Sequence, residues 1–362
     1  MGFFKTSGAV GLELDTGVVR VVALSGDKHA PTLLTAGEIA IPEDAVSEGV
    51  VNDVDAVARA LEELWGKFRI NSRDVVLGIS NQGVMMRLAN FPKIPDNKLE
   101  RALRFQAGEY FPIPLEELVF DFSVLGEVEG EHGPQLQILL VAARRDLLDK
   151  SLEALQRATL MPRVVDTSAL ALLRTLPGRR LEEESLLLVD ISNGLTMLQL
   201  VAGGVPRFAR VIPHSLKTYA RELDRPLDEL LETASQAAAA KQDGGIPNIK
   251  LTVTGEPHGT EQWPVRATGE WELALANEIR SSIGYYMSQT GTVVVDGVIV
   301  SGRGARVAGL PEFLQAEIEV PVEIVDPLVN IKGSARGKGV DMQYNGPDFA
   351  VCIGLALRGL ED

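Results

Sequence analysis

Cysteine, histidine and aromatic residues are scarce in this chain, and each scarcity removes a class of chemistry. Cys352 is the single cysteine among 362 residues, so no internal disulfide can form and the composition fits a reducing compartment. It lies in an apolar stretch, which favours a buried inert thiol over a nucleophile. The four histidines, His29, His132, His214 and His258, are scattered without metal-ligand spacing, which speaks against a zinc site. Basic residues are outnumbered, 35 against 50 acidic ones. The net charge of -15 leaves no positive footprint for nucleic acid and no electrostatic pull toward anionic lipid. No apolar run approaches the ~18 residues needed to cross a bilayer. Met1-Gly2-Phe3-Phe4-Lys5 is too short for a signal peptide, because a strand pattern begins almost at once. These absences predict a soluble cytoplasmic protein that reaches a membrane only through partners. What is present is apolar bulk: 45% hydrophobic against 23% charged residues, in a chain long enough for two or three domains with sizeable cores.

Two short loops carry the strongest pattern. One is Val10-Gly11-Leu12-Glu13-Leu14-Asp15-Thr16-Gly17-Val18-Val19-Arg20. The other is Leu187-Leu188-Val189-Asp190-Ile191-Ser192-Asn193-Gly194-Leu195-Thr196-Met197-Leu198. Each places an Asp, a small or hydroxyl residue and a Gly between two apolar strands, a hairpin whose backbone N–H groups can cup a phosphate. One copy would be ordinary turn chemistry. Two copies about half a chain apart suggest a nucleotide held between two similar half-molecules. A third element supports this. The strand Asp296-Gly297-Val298-Ile299-Val300 is followed by Ser301-Gly302-Arg303-Gly304-Ala305-Arg306, a Gly-rich turn where backbone can approach a ligand closely. It has neither Walker-loop nor dinucleotide-fingerprint spacing.

Alternation and helical spacing outline the rest. Strands are expected at 9–14, 17–24, 32–41 and 74–80, with a helix over 53–68 capped by Asp53. From 83 to 143 the texture changes to a small αβ unit: a strand at 84–88, a helix at 97–110 opened by an Asn97–Glu100 capping box, and strands at 118–128 and 135–143. Pro112 and Pro114 end that helix. A helix at 146–159, a strand at 162–166 and a helix at 168–174 lead through a polar linker, 177–185, to the second Asp loop. The pattern then repeats with strands over 186–200 and 205–212 and helices at 214–224 and 227–241. Beyond them lie a loop region, 242–270, with one strand at 249–254, a helix at 271–289 and a closing helix at 349–358. Two halves that each start with a strand–Asp–strand hairpin imply internal duplication.

In this combination the chain resembles the actin-like ATPase superfamily: two phosphate hairpins at 10–20 and 187–198, an adenosine turn at 297–310 and connecting helices at 167–174 and 349–358. The insertion narrows the likeness. Phe91-Pro92-Lys93-Ile94-Pro95, Glu109-Tyr110-Phe111-Pro112-Ile113-Pro114-Leu115-Glu116-Glu117 and Asp121-Phe122-Ser123-Val124-Leu125 are similar to the PilM-type proteins of type IV pilus assembly, relatives of the FtsA division proteins. Asp326-Pro327-Leu328-Val329-Asn330 and Gly354-Leu355-Ala356-Leu357-Arg358 fit the same family.

The resemblance implies an α/β actin-like fold, with two duplicated halves around a nucleotide cleft. Residues 1–82 and 144–183 would form the first half, 83–143 its inserted subdomain, 184–225 and 292–362 the second half, and 226–291 that half's smaller subdomain. It implies ATP and Mg²⁺ as cofactors. Asp15, Thr16, Gly17, Asn193, Gly194, Thr196, Glu278, Gly302, Arg303 and Gly304 would surround the nucleotide. Asp15, Asp166 and Asp190 would hold Mg²⁺ through water. No catalytic residue follows, and at most a weak ATPase. The implied partner is the cytoplasmic tail of a PilN-like inner-membrane protein, with the assembly motor ATPase and self-association as further contacts. The docking groove would use Met85, Arg87, Leu88, Arg104, Phe105, Tyr110 and Phe111; the bland alternative is that these aromatics fill the subdomain's own core.

Three departures weigh against nucleotide chemistry. Asp190-Ile191-Ser192 stands where the superfamily has Asp-Ile-Gly, adding a Cβ where backbone meets phosphate. His214-Ser215 replaces the family's Gly-Gly, and Arg303 sits between the glycines of the adenosine turn, where it either stacks on adenine or blocks it. Three other functions compete with a platform scaffold. A small-molecule kinase on this fold would need a carboxylate base in its insertion, and none stands out. An FtsA-like protein would carry a basic amphipathic tail, and here Leu360-Glu361-Asp362 follow the closing helix directly. A type II secretion platform protein would continue into a transmembrane segment.

Overall fold

Two five-stranded sheets with the same strand order organise the chain. The computed structural model describes residues 8–130, 133–227, 231, 263–290, 294–307, 309–333 and 340–361. In the first sheet β1 (Ala9–Asp15), β2 (Val18–Ser25) and β3 (Thr32–Ala40) form an antiparallel meander. After a short hairpin of β4 (Val46–Ser47) and β5 (Val50–Val51), β6 (Asp74–Ile79) runs parallel to β1, and β10 (Met161–Thr167) runs parallel to β6. In the second sheet β11 (Ser185–Ile191), β12 (Thr196–Ala202) and β13 (Val205–Ile212) repeat the meander. β14 (Gly297–Ser301) and β15 (Val322–Ile324) then repeat the parallel pair. The duplication expected from the two Asp loops is therefore a repeat of whole sheets, order β3-β2-β1-β6-β10 and β13-β12-β11-β14-β15. Leu186 to Ile191 are all buried, as a strand covered on both faces requires. The strands expected over 186–200 are β11 and β12, which Ser192-Asn193-Gly194 joins as the hairpin pattern anticipates.

Helices cover both faces of each sheet. α1 (Val54–Phe68) starts where the Asp53 side chain accepts from Ala56 N at 2.9 Å, and stops at Arg69 in the left-handed region. It buries Val57, Leu61, Leu64 and Trp65 against one face of the first sheet. The closing helix Ala350–Arg358 covers the other face and crosses α4 (Ser168–Leu173) at close range. A Cβ on Gly354 would lie 1.8 Å from the Ala171 carbonyl oxygen, so only glycine permits that crossing. On the second sheet, α6 (Leu216–Glu222) and the long helix Trp263–Thr290 bury Tyr219, Trp271, Leu275 and Ile279.

Between β6 and α3 (Arg145–Arg157) the chain builds a separate three-stranded antiparallel sheet, β7 (Val84–Pro92), β9 (Gly133–Arg144) and β8 (Leu118–Gly130), in the order β7-β9-β8. α2 (Asp96–Tyr110) packs Leu99, Leu103 and Ala107 on one of its faces. Met86 and Leu139, on the other face, join the core beneath β11 to β13 of the second half, with Val141 packed against it. β8 is an outer strand of 13 residues with a bulge between Val124 and Gly126.

Several local expectations are corrected. The Asn97–Glu100 capping box does not form: the helix already begins at Asp96 after Pro95, and Glu100 pairs with Arg104 at 3.0 Å. The polar linker 177–185 contains a helix, α5 (Gly178–Glu183), held by Arg179–Glu183 and Arg180–Glu184 pairs at i,i+4 spacing. The helix expected at 271–289 extends back to Trp263. The strand expected at 249–254 and nearly all of the helix expected at 227–241 lie outside the described residues. Among the described residues no helix is long and apolar enough to cross a membrane.

Candidate functional site

The two Asp loops meet face to face. Asp15 ends β1, and Gly17, at φ 76°, turns the chain into β2. Opposite it, Ser192-Asn193-Gly194 joins β11 to β12. The backbone N–H of Asn193 donates to Asp15 Oδ2 at 3.1 Å, and that of Gly194 to Asp15 Oδ1 at 3.3 Å. Asn193 Nδ2 donates to the Thr16 carbonyl at 2.9 Å. A Cβ on Gly194 would fall 2.1 Å from Thr16 Oγ1, so the close approach depends on glycine. Asp15, Thr16 and Asn193 are all buried in this contact.

Behind the loops lies a buried charge network. Arg20 Nη1 reaches Asp15 at 3.2 Å and Glu13 at 3.4 Å, and its Nε reaches Glu38 at 3.3 Å. Burial pushes the Glu13 carboxyl up to about 8, against the attraction of Arg20 and with help from Asp15 and Asp190. Burial also raises Asp190, although the Ser301 and Ser192 hydroxyls donate to it at 2.6 and 2.9 Å. Burial raises Asp348, which Arg306 partners at 2.9 Å. Glu13, Arg20, Glu38 and Asp348 escape the motif pattern. For Glu13 and Arg20 a signal exists: each is a charge inside an otherwise apolar strand, which only a buried partner tolerates.

The third element turns inward. Gly302, at φ 75°, sits where a Cβ would be 2.6 Å from the Ile191 carbonyl, and one on Gly304 would strike the Ile191 side chain at 2.3 Å. Both glycines thus serve packing against the second loop. Arg303 lies 3.3 Å from Glu38 and 3.7 Å from Asp348, joining the second half to β3. The other expected site residues are dispersed. The Thr196 hydroxyl donates to the His214 carbonyl, and Glu278 is held by Arg210 at 2.6 Å. Asp166 is paired with Arg174 at 2.6 Å. Among the described residues no three acidic, histidine or cysteine side chains gather as direct ligands of a metal. The space between the loops, lined by Glu13, Asp15, Ser80, Asp190 and Ser192, is ≈ 20 Å³. That is room for about one water. As the loops stand here, that gap is too small for a nucleotide.

The expected docking residues split into groups. Along β7 alternate side chains take opposite faces, which sets Met85 and Arg87 on the α2 side and Leu88 on the reverse. Leu88 therefore cannot share a groove with them. Met85, Ala142 and Phe120 lie side by side in one row of the sheet. Arg104 rests over the Phe120 ring at 5.8 Å, and Tyr110 borders the same cluster half-buried. Phe111 is a core residue, edge-on to Phe120 with centroids 6.0 Å apart. Phe105 points away, 91% exposed, from the side of α2 opposite Leu103.

Duplicated sheets facing each other across paired Asp loops, with a separate subdomain inserted in the first half, define an actin-like protein. Two solved structures share the fold at 14% identity each: the ethanolamine utilization protein EutJ from Carboxydothermus hydrogenoformans, with a TM-score of 0.52 over 97% of this chain and 89% of that one, and the MamK double helical filament, at 0.50 over 98% and 99%. A nearer likeness is to the PilM-PilN type IV pilus biogenesis complex, 29% identical with a TM-score of 0.79 over 99% of this chain and 100% of that one. A family model for type IV pilus assembly protein PilM matches residues 11–360. The chain belongs to the PilM family of type IV pilus assembly proteins.

Proposed function

We propose that this protein is a scaffold on the cytoplasmic face of a type IV pilus platform, binding the cytoplasmic tail of a PilN-like membrane protein. The observation that carries this reading is the end-to-end likeness to the chain in the PilM-PilN complex. We assign the site to the α2 side of the inserted sheet, where Arg104 and Tyr110 border the buried Phe111–Phe120 pair and Met85 and Arg87 share the same sheet face. Half-buried apolar surface beside two guanidinium groups suits an extended peptide with a carboxylate among apolar residues. Recruitment through that peptide would hold the protein at the inner membrane. Self-association and contact with the motor ATPase belong to the same proposal, as properties of a platform component. Mg-ATP has no assigned part, because the gap between the loops as they stand is too small for it.

Calorimetric titration with the tail peptide of the cognate PilN-type protein tests the assignment. Tyr110→Ala and Arg104→Glu should each weaken binding at least about tenfold, ~1.4 kcal/mol, while Phe105→Ala leaves it unchanged. Absence of binding by the unaltered chain would sink the proposal.

A further inference from the structure

We propose that Asp15 is a built-in anion: its carboxylate occupies the seat a phosphate would take and latches the two halves shut without nucleotide. Consecutive backbone N–H groups at a turn form an anion cup. In the second loop that cup is made by Asn193 and Gly194, and both of its N–H groups point at Asp15, at 3.1 and 3.3 Å. The Thr16 N–H at 2.7 Å and Arg20 Nη1 at 3.2 Å complete a ring of four donors around one carboxylate. They divide two to each carboxylate oxygen, Thr16 and Gly194 on Oδ1 and Arg20 and Asn193 on Oδ2, as donors would divide between two oxygens of a phosphate. The anion comes instead from the opposite half of the same chain.

Other contacts close around this one. Asn193 Nδ2 grips the Thr16 carbonyl, and Arg303 pairs with Glu38 across the same divide. Lys217 of the second half reaches Glu43 of the first at 2.9 Å. Leu33 N donates to the Lys332 carbonyl, and Lys332 N to the Pro31 carbonyl, so the segment leaving the second sheet is tied by backbone to the edge of the first. An external phosphate would have to displace a carboxylate tethered millimolar or more in effective concentration. It would also leave that carboxylate buried without donors, at the cost of a stranded charge. The latch thus makes closure a constant property of the fold. It stands independently of which peptide docks on the insertion.

The test combines titration and amide exchange on the full chain. Unaltered protein should give no heat with Mg-ATP or pyrophosphate at millimolar concentration. Asp15→Gly, which empties the seat, should bind pyrophosphate at least about tenfold more tightly than the unaltered protein. Asp15→Asn keeps the shape but replaces charged hydrogen bonds with neutral ones. It should speed exchange at the Asn193 and Gly194 amides by about tenfold or more. Sub-millimolar binding of Mg-ATP by the unaltered protein would overturn the latch. So would equal amide exchange in Asp15→Asn and the unaltered chain, a comparison that decides the matter even if Asp15→Gly does not fold.

Discussion

Single side chains decide what the cleft can do. Glu13 sets its pH response, because burial holds its carboxyl near 8 while an unfolded chain releases the proton near 4.5. Between those values the folded state binds the extra proton, so stability must fall as pH rises. Glu13→Gln removes this term. Its denaturation midpoint should gain on the unaltered protein as pH climbs from 4.5 to 8, and the two should respond alike below 4.5. Parallel curves across that window would show that Glu13 is ionised in the folded state. The cleft also shows the limits of a sequence motif. Asp15, Thr16 and Asn193 were legible as turn-forming residues near an anion, and the structure does bring them together. Which anion they meet was not legible. The donor cup and the carboxylate that fills it are 178 residues apart in the chain, and nothing local couples them.

Whole elements were easier to anticipate. β1, β2, β3 and β6 follow from apolar runs bounded by Gly, Pro and Asp, and α1 from its spacing and its Asp53 cap. The α2 start was misplaced because Pro95, with its fixed φ, opens the helix ahead of Asn97. α5 was hidden because it buries no residue and is held by surface ion pairs instead of an apolar stripe. Within the insertion, periodicity could not tell two phenylalanines apart. Phe111 is 3% exposed and Phe105 is 91% exposed, so their truncations should diverge. Phe111→Ala should cost about 3–5 kcal/mol by chemical denaturation, whereas Phe105→Ala should stay within about 0.5 kcal/mol. Similar losses from both would mean that Phe105 is covered by protein.

At the scale of the whole molecule, polar contacts across the cleft add to an apolar core that the halves share, where Met86, Leu139, Ala169 and Leu172 pack beneath the second sheet. Arg303 is one of the polar contacts, lying against Glu38 of β3 and against Asp348 just before the closing helix. Arg303→Gln should lower the unfolding free energy by about 1–3 kcal/mol, because it strips a partner from the buried Asp348 and the half-buried Glu38. A loss below about 0.5 kcal/mol would show that Arg306 and Arg20 compensate. The repeat of sheet order was foreseeable from the twin loops, while the packing of the inserted sheet onto the second half was not, since Met86 and Leu139 read only as strand residues. The outer strand of that inserted sheet has a bearing on crowding. β8 presents one edge with no ladder partner among the described residues, the kind of edge on which neighbouring molecules fuse into mixed sheets. Its bulge breaks the repeat, and Asp121 and Glu129 set like charges along it, while Glu127 is paired with Lys93. Copies packed side by side on an assembly platform would therefore repel along this edge, stay separately folded and escape aggregation.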